Sequence, residues 1–249
     1  MKNIRVEKAP AFADVSSDEI VEFIVNPTDR RDIYNGRNTL WAATFRGQSV
    51  VVKQFRSGLK SRIVYALFSS KASRSLRNAV EISRRGIDTP APVASAEWRG
   101  KCHGLLKSYY ICEETNTISL AEAFDRYGRE TVEAFAAFVV ELHEKGIRHD
   151  DLNNTNVRVA RNADGTLTFS LIDLNRMKLY DGPVPLARCF RNMCRFSRPD
   201  ENFKLFLQEY LRIRKLPEHY YDTALAIKLR HENKVTRKKR LKSLLRPTK

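Results

Sequence analysis

The sequence has little of what marks a secreted, membrane-spanning or metal-bound chain. Its four cysteines, at positions 102, 112, 189 and 194, show no CxxC spacing, so neither a zinc ribbon nor a redox motif is indicated. The longest apolar run, AFAAFVV, has about seven residues and is far too short to span a bilayer. The first residues, MKNIRVEKAPAFADV, lack the apolar core of a signal peptide. We therefore expect a cytoplasmic protein with reduced thiols.

Acidic residues are scarce relative to basic ones. The chain of 249 residues has 29 Asp and Glu against 45 Lys and Arg, which gives a formal net charge of +16. This surplus favours an anionic partner, which can be nucleic acid, an acidic membrane surface or a phosphorylated substrate. Hydrophobic residues make up 42%, enough for one large domain or two lobes that share a cleft.

The pattern of residues changes from strands to helices along the chain. Residues 39–55 predict a hairpin around a short Arg46-Gly47-Gln48 turn, and 108–114 predict a buried strand. Between them, 69–87 predict a helix that stops at Gly86. This first part predicts an antiparallel sheet with one helix.

The second part is predicted to be mainly helical. Residues 129–147 carry one apolar helix face formed by Phe135, Phe138, Val139 and Leu142. A second hairpin follows at 157–173, and 201–228 are again helical in pattern. The sequence thus predicts an α+β fold with three parts: a nucleotide-binding lobe (1–114), a catalytic lobe (115–232) and a basic tail (233–249).

The segment RHDDLNNTN (148–156) concentrates polar side chains between apolar runs. Asp151 and Asn156 lie five residues apart in this loop, and Asp173 follows the apolar strand of the next hairpin. A carboxylate in such a loop can accept a proton from a hydroxyl, and carboxylate and amide oxygens are ligands for Mg²⁺. Phosphoryl transfer needs this combination of a base, positioning groups and charge neutralisation.

A cationic partner for such a site lies upstream. Lys53 follows three valines in SVVVK, and the alternation of a strand places it on the face opposite Val50 and Val52. A lysine on a half-buried strand face needs an anion, and an ATP phosphate would supply one. The loop YNGRN (34–38) has a single glycine, Gly36, and is a weak candidate for covering the phosphates.

Together these segments resemble the protein kinase-like fold, with its two lobes. The pattern His149-x-Asp151-Leu152-x-x-x-Asn156 matches the catalytic loop except that Asp150 stands in the place of arginine. Asp173-Leu174-Asn175 replaces Asp-Phe-Gly, and no Ala-Pro-Glu follows. These departures point away from ordinary protein kinases.

More specifically, the chain resembles the lipopolysaccharide core kinases, which phosphorylate Kdo or heptose sugars. Three stretches carry the resemblance: YALFSSKASRSLRNAVEISRRGIDTPAPVA (65–94), LHEKGIRHDDLNNTNVRV (142–159) and FSLIDLNRMKL (169–179). It implies that Asp151 is the catalytic base, that Asn156 and Asp173 hold Mg²⁺, and that Lys53 holds ATP. The implied acceptor is a sugar of a lipopolysaccharide precursor.

Four further assignments complete the interpretation of the site. The adenine is expected against the hinge at 112–115, which includes Glu113. Kinases pair the strand lysine with a helix glutamate, and Glu81 is the choice here, although the family's spacing would put the acid at Arg77. His149 is expected to orient the loop through backbone hydrogen bonds, and His143 to be exposed.

The last 17 residues, NKVTRKKRLKSLLRPTK, contain eight Lys or Arg and no acid. Leucines between the cations suit a short helix on an anionic membrane, and we expect the protein to be peripheral on the inner face of the cytoplasmic membrane, with nucleic acid the less favoured partner. Two alternatives stay open. One is an atypical kinase or ATPase of the RIO type acting on ribonucleoprotein, and the other is a catalytically silent pseudokinase scaffold.

Overall fold

An antiparallel sheet of six strands organises the first of two units into which the chain divides. The structure is a computed structural model that describes residues 3–56, 65, 68–100, 104–196 and 201–244. The first unit contains residues 1–116 and 170–176, and the second contains 117–169 and 177–249. The strand order is β1-β5-β6-β4-β3-β2, where the strands are β1 (Asn3–Lys8), β2 (Arg31–Asn35), β3 (Asn38–Phe45), β4 (Gln48–Phe55), β5 (Pro92–Arg99) and β6 (Leu105–Glu113).

The hairpin of β3 and β4 is confirmed. Its two-residue turn, Arg46-Gly47, has positive φ at both positions, 49° and 77°. Such turns match the twist of the flanking strands. Because eight consecutive residue pairs join β3 and β4 from Asn38–Phe55 to Phe45–Gln48, the face on which each side chain lies is fixed.

The two faces of this sheet have different roles. One face carries the apolar core with Trp41, Val50 and Val52, and the helix α1 (Ser17–Val25) contributes Ile20 and Ile24 to it. The opposite face carries Lys53 together with its register partners Leu40 and Tyr110 and their neighbours Ala42, Val51 and Cys112.

The predicted helix at 69–87 is present as α2 (Lys71–Arg84). The Ser70 side chain caps its first turn by accepting a hydrogen bond from the Ser73 N–H at 3.1 Å. After the last turn, Gly86 takes a φ of 70°, a conformation that favours glycine. The buried residues Ala72, Leu76, Ala79 and Ile82 form the face that packs on β5 and β6.

The second unit is mainly helical. Its elements are β7 (Ile118–Ser119), α3 (Leu120–Tyr127), α4 (Arg129–Glu144), β8 (Ile147–His149), β9 (Val157–Arg161), β10 (Leu167–Leu171), β11 (Met177–Leu179), α5 (Leu186–Met193), α6 (Glu201–Ile213) and α7 (Tyr220–Leu244). The last two residues of β10 belong to the first unit. A cluster of aromatic rings forms the core: Phe135 lies 4.9 Å from Phe196 and 5.5 Å from Phe206, centroid to centroid. The predicted α+β fold is confirmed.

The helical region predicted at 201–228 is two helices. The chain turns between α6 and α7, where Lys215 has a φ of 52° and Pro217 offers no backbone N–H. The second helix, α7, then continues to Leu244 and includes most of the predicted basic tail, whose residues 245–249 lie outside the described residues. Within the described ranges, no helix combines the length and apolar character needed to cross a membrane.

Candidate active site

In the first unit, Lys53 forms an ion pair with Asp173. Asp173 lies in the turn after β10 with a φ of 59°, an uncommon conformation for a residue with a side chain and one that recurs at functional sites. The Lys53 ammonium donates to Asp173 Oδ1 at 2.7 Å, and Asn175 Nδ2 donates to the same oxygen at 2.6 Å. The side chains are 17% and 30% exposed. Two residues predicted for the site therefore meet 120 positions apart in the chain.

More cations surround this pair than the sequence analysis assigned. Lys71 begins α2, and burial together with the charges of Arg37 and Arg176 lowers the pKa of its ammonium, whereas the carboxylate of Asp173 acts in the opposite direction. A lysine in the first turn of a helix is also opposed by the helix dipole. So many positive groups near one carboxylate predict a polyanionic ligand such as a triphosphate.

The turn that carries Asp173 is fastened from both sides. Asn78 of α2 donates to the carbonyl oxygen of Leu174 at 2.6 Å. Thr89 Oγ1 donates to the Leu171 carbonyl at 2.8 Å, and the Leu171 N–H donates to the carbonyl of Asp88 at 3.0 Å. These bonds hold the backbone before and after Asp173, so its carboxylate has a defined position.

The expected pair of Lys53 with Glu81 is not formed in this structure. The Glu81 carboxylate accepts hydrogen bonds from Arg84 and Arg85 on the same helix end, and these bonds hold its pKa at about 2. Arg77, where the family's spacing would place the acid, is bonded to Glu7 of β1 at 2.8 Å. The rotation of α2 about its axis therefore presents Asn78, and not Glu81, to the turn of Asp173.

The remaining two residues predicted to bind the nucleotide lie at strand ends of the same sheet. Gly36 occupies the turn between β2 and β3, where a Cβ atom would lie only 2.3 Å from the hydroxyl of Tyr34. Glu113 ends β6 with an exposed side chain that accepts from the Ala91 N–H at 3.3 Å. Their nucleotide contacts stay predictions.

In the second unit, hydrogen bonds close the predicted catalytic loop into a turn. His149 is fully buried, and its Nδ1 accepts the N–H of Asp151 at 3.1 Å, so the expectation that His149 orients the loop through the backbone is confirmed. Asn156 Nδ2 donates to the Asp151 carbonyl at 2.9 Å. Asn153 Oδ1 accepts the N–H groups of Thr155 and Asn156, which closes the turn.

His143 is buried, and the expectation that it is exposed was wrong. It is 0% exposed on α4, with Tyr210 Oη 2.8 Å from Nδ1 and Asn192 Oδ1 3.0 Å from Nε2. Asn192 in turn donates to the carbonyl oxygen of His149 at 2.7 Å. Burial lowers the pKa of His143 to about 4, so the neutral ring is part of the support under the catalytic loop.

Arg195 is a site residue that sequence reasoning missed. It follows α5, and its Nη1 donates to Asp151 Oδ1 at 2.7 Å. Nothing in the local sequence marks it, because the contact joins residues 44 positions apart. The sequence reasoning also missed Lys71. The serine before it is a typical helix N-cap, so the sequence could have placed this lysine in the first turn of the helix.

Each of the two units supplies an oxygen donor of a type that binds magnesium. The described part of the chain contains no group of three or more His, Cys, Asp or Glu arranged to hold a metal. Asn156 nevertheless has an amide oxygen without a hydrogen bond among these residues, and Asp173 supplies a carboxylate. Mg²⁺ is commonly bound by one or two such protein oxygens plus substrate phosphates.

The first unit holds a sheet lysine bonded to the aspartate that follows a strand. The second unit holds a loop in which a buried histidine supports an aspartate and an asparagine. Both features are typical of the phosphotransferases of the protein kinase-like fold. Residues 25–184 match the model of the family described as Lipopolysaccharide kinase (Kdo/WaaP). The chain therefore belongs to this family of kinases, and it is a lipopolysaccharide core kinase, an enzyme that uses ATP.

Solved structures agree with this fold. One is described as WaaP in complex with acyl carrier protein; it has 19% sequence identity, a TM-score of 0.62, and coverage of 92% of this chain and 98% of its own. Another is the Rio2 kinase-ADP/Mg²⁺-phosphoaspartate complex from Chaetomium thermophilum, with 14% identity, a TM-score of 0.52, and coverage of 84% and 65%. A comparison with curated proteins gave no match.

Proposed function

We propose that the enzyme transfers the γ-phosphate of ATP, with Mg²⁺, to a hydroxyl of Kdo in the lipopolysaccharide inner core, with heptose as the less favoured acceptor. The observation that carries the proposal is the charge arrangement around Asp173. Lys53 bonds this carboxylate directly, and burial together with the charges of Arg37 and Arg176 lowers the pKa of Lys71, on which the Asp173 carboxylate acts in the opposite direction. Such an excess of positive charge is balanced when a triphosphate binds.

Each residue then has one task. Asp151 orients the acceptor hydroxyl and accepts its proton, on a loop held by His149 and Asn156. Lys53 offsets negative charge on the phosphates, while Asn156 and Asp173 are the oxygens that would hold magnesium. The metal, when bound, neutralises charge that develops on the phosphate oxygens. The hinge at 112–115 is the proposed place of the adenine.

The enzyme is further proposed to act at the inner face of the cytoplasmic membrane. The distal half of α7 presents the exposed cations Lys234, Arg237, Lys238 and Arg240, and each basic residue near an anionic leaflet contributes about 1 kcal/mol. The WaaP structure is a complex with acyl carrier protein, so such a carrier is a second candidate partner for these cations. Measuring vesicle binding with and without acyl carrier protein distinguishes the membrane from the carrier as the partner.

A phosphotransfer assay tests the function. The purified enzyme would be given Kdo-lipid A, heptosylated core and a generic protein substrate side by side, with labelled ATP. We expect label on the Kdo acceptor, and loss of this label in Asp151→Asn but not in the matched control Asp150→Asn, whose carboxylate pairs with Arg148. Label on protein alone, together with salt-sensitive RNA binding, would favour the RIO-type alternative, and no label anywhere the pseudokinase.

A further inference from the structure

Arg195 is placed where the acceptor sugar must arrive. Its side chain is 44% exposed, and its guanidinium donates to Oδ1 of Asp151 at 2.7 Å. Asp151 is the proposed base, so a hydroxyl that gives up its proton has to approach this same carboxylate. Any acceptor therefore meets a cation directly beside the group that activates it.

The backbone on both sides of Arg195 is held by a buried lysine. Lys228 of α7 is 0% exposed, and its ammonium donates to the carbonyl oxygens of Cys194 and Phe196, at 2.9 Å each. It also donates to Glu232 at 2.9 Å. Burying a lysine is costly unless its charge is compensated and hydrogen-bonded. A buried charge therefore bonds the carbonyl oxygens of the two residues on either side of Arg195 and helps to fix the backbone that carries this arginine.

A neutral acceptor would weaken the hydrogen bond between Asp151 and Arg195 without offering the guanidinium another anion. If a hydroxyl alone bonds Asp151, the guanidinium loses part of its anionic partner. An acceptor that carries a carboxylate next to the hydroxyl bonds both groups, since the hydroxyl reaches Asp151 while the carboxylate accepts the fork of N–H donors from Arg195. Guanidinium and carboxylate groups match each other in this bidentate geometry.

We infer that Arg195 is a specificity-determining residue that binds the carboxylate of an acidic sugar and so selects Kdo over a neutral heptose. In the reaction, the acceptor hydroxyl passes its proton to Asp151, its oxygen forms the new bond to the γ-phosphorus, and the bond from that phosphorus to the oxygen of the departing ADP breaks. Arg195 takes no part in these bond changes. This inference rests on the proposed function and names its acceptor.

The test compares two acceptors that differ only in the carboxylate. One is Kdo-lipid A, and the other is the same molecule with the Kdo carboxyl converted to a primary amide. Because both keep the phosphates of lipid A, their comparison separates the sugar carboxylate from a lipid phosphate as the anion that Arg195 binds. The variants are Arg195→Ala, Arg195→Lys and the control Arg191→Ala, which alters an exposed arginine on α5.

The wild-type enzyme is expected to prefer the carboxylate acceptor by roughly 10- to 100-fold in kcat/KM, the range of a charge-assisted hydrogen bond. In R195A this preference should fall to within about threefold, mainly through a higher KM for the carboxylate acceptor. R195K should be intermediate, and R191A should match the wild type. Thermal unfolding and ATP affinity check that each variant is folded.

Two results would overturn the inference and can be told apart. If the wild type phosphorylates both acceptors and R195A keeps the wild-type preference, Arg195 does not read the carboxylate, although the proposed function stands. If the wild type phosphorylates neither, the proposed function fails and the inference fails with it.

Discussion

Replacing His143 by glutamine is expected to remove part of the acid sensitivity of the fold. The His143 ring lies between Tyr210 and Asn192 and is fully buried, so the folded protein holds it neutral. Its pKa is lowered from 6.5 to about 4 in the folded state. The unfolded chain therefore binds more protons than the folded chain between these two values, and stability rises with pH there.

The size of the effect follows from that difference. One pKa unit corresponds to about 1.4 kcal/mol, so His143 contributes up to about 3 kcal/mol that is present above pH 6.5 and lost as the pH falls towards 4. That is a large part of the 5–15 kcal/mol that typically separates folded from unfolded domains.

Urea denaturation at pH 7, 6 and 5 measures this contribution as the free energy of unfolding. We expect His143→Gln to lose less stability than the wild type between pH 7 and 5, even if it is less stable at every pH. The matched control is His219→Gln, at an exposed position, and it should follow the wild type. Equal pH slopes in His143→Gln and the wild type would show that a neutral His143 is not required by the fold.

Other substitutions test the active site and the tail. Asp151→Ala should lower turnover about 100-fold or more with ATP affinity largely kept; near-normal activity would refute its role as base. Asp173→Ala should abolish Mg²⁺-dependent nucleotide binding, measured by calorimetry, and an unchanged affinity would exclude the metal role. Glu81→Gln should keep an ATP affinity within about twofold of the wild type, because Glu81 bonds Arg84 and Arg85. If this variant instead loses as much ATP affinity as Lys53→Met does, Glu81 pairs with Lys53 in the working enzyme. Ending the chain after Glu232 keeps the Lys228–Glu232 pair and should weaken vesicle binding more than activity on a soluble sugar, whereas equal losses would make the tail structural.

The sequence predicted the fold and much of the candidate site, because those signals are local. The hairpins follow from alternation and turn residues, and the catalytic-loop pattern keeps its residues at fixed spacing. Lys53 and Asp173 were predicted separately and are bonded in the structure. The catalytic, nucleotide and metal roles given to these two residues and to Asp151, Asn156, Gly36 and Glu113 stay predictions.

What could not be predicted depends on contacts between distant segments. The bond of Arg77 to Glu7, 70 residues away, helps to fix the rotation of α2 about its axis. In this rotation Glu81 bonds Arg84 and Arg85 and does not pair with Lys53. His143 stands among charged neighbours in LHEKG, yet the packing of α4 against α6 buries it beside Tyr210. Arg195 likewise becomes a site residue only through tertiary structure.

The first strand lies outside the range that the family model matches, yet it supports the helix next to the proposed site. The family model matches residues 25–184. The strand β1 lies before this range, pairs with β5 as the outer strand of the six-stranded sheet, and supplies the carboxylate of Glu7 that accepts hydrogen bonds from Ser73 and Arg77 of α2. A protein shortened to the matched range would lose the outer strand and the core contacts of α1. It would also lose the bonds of Glu7 to α2, the helix that carries Lys71 and Asn78. The range that the family model matches contains the proposed catalytic groups, whereas contacts that position α2 begin in the first strand.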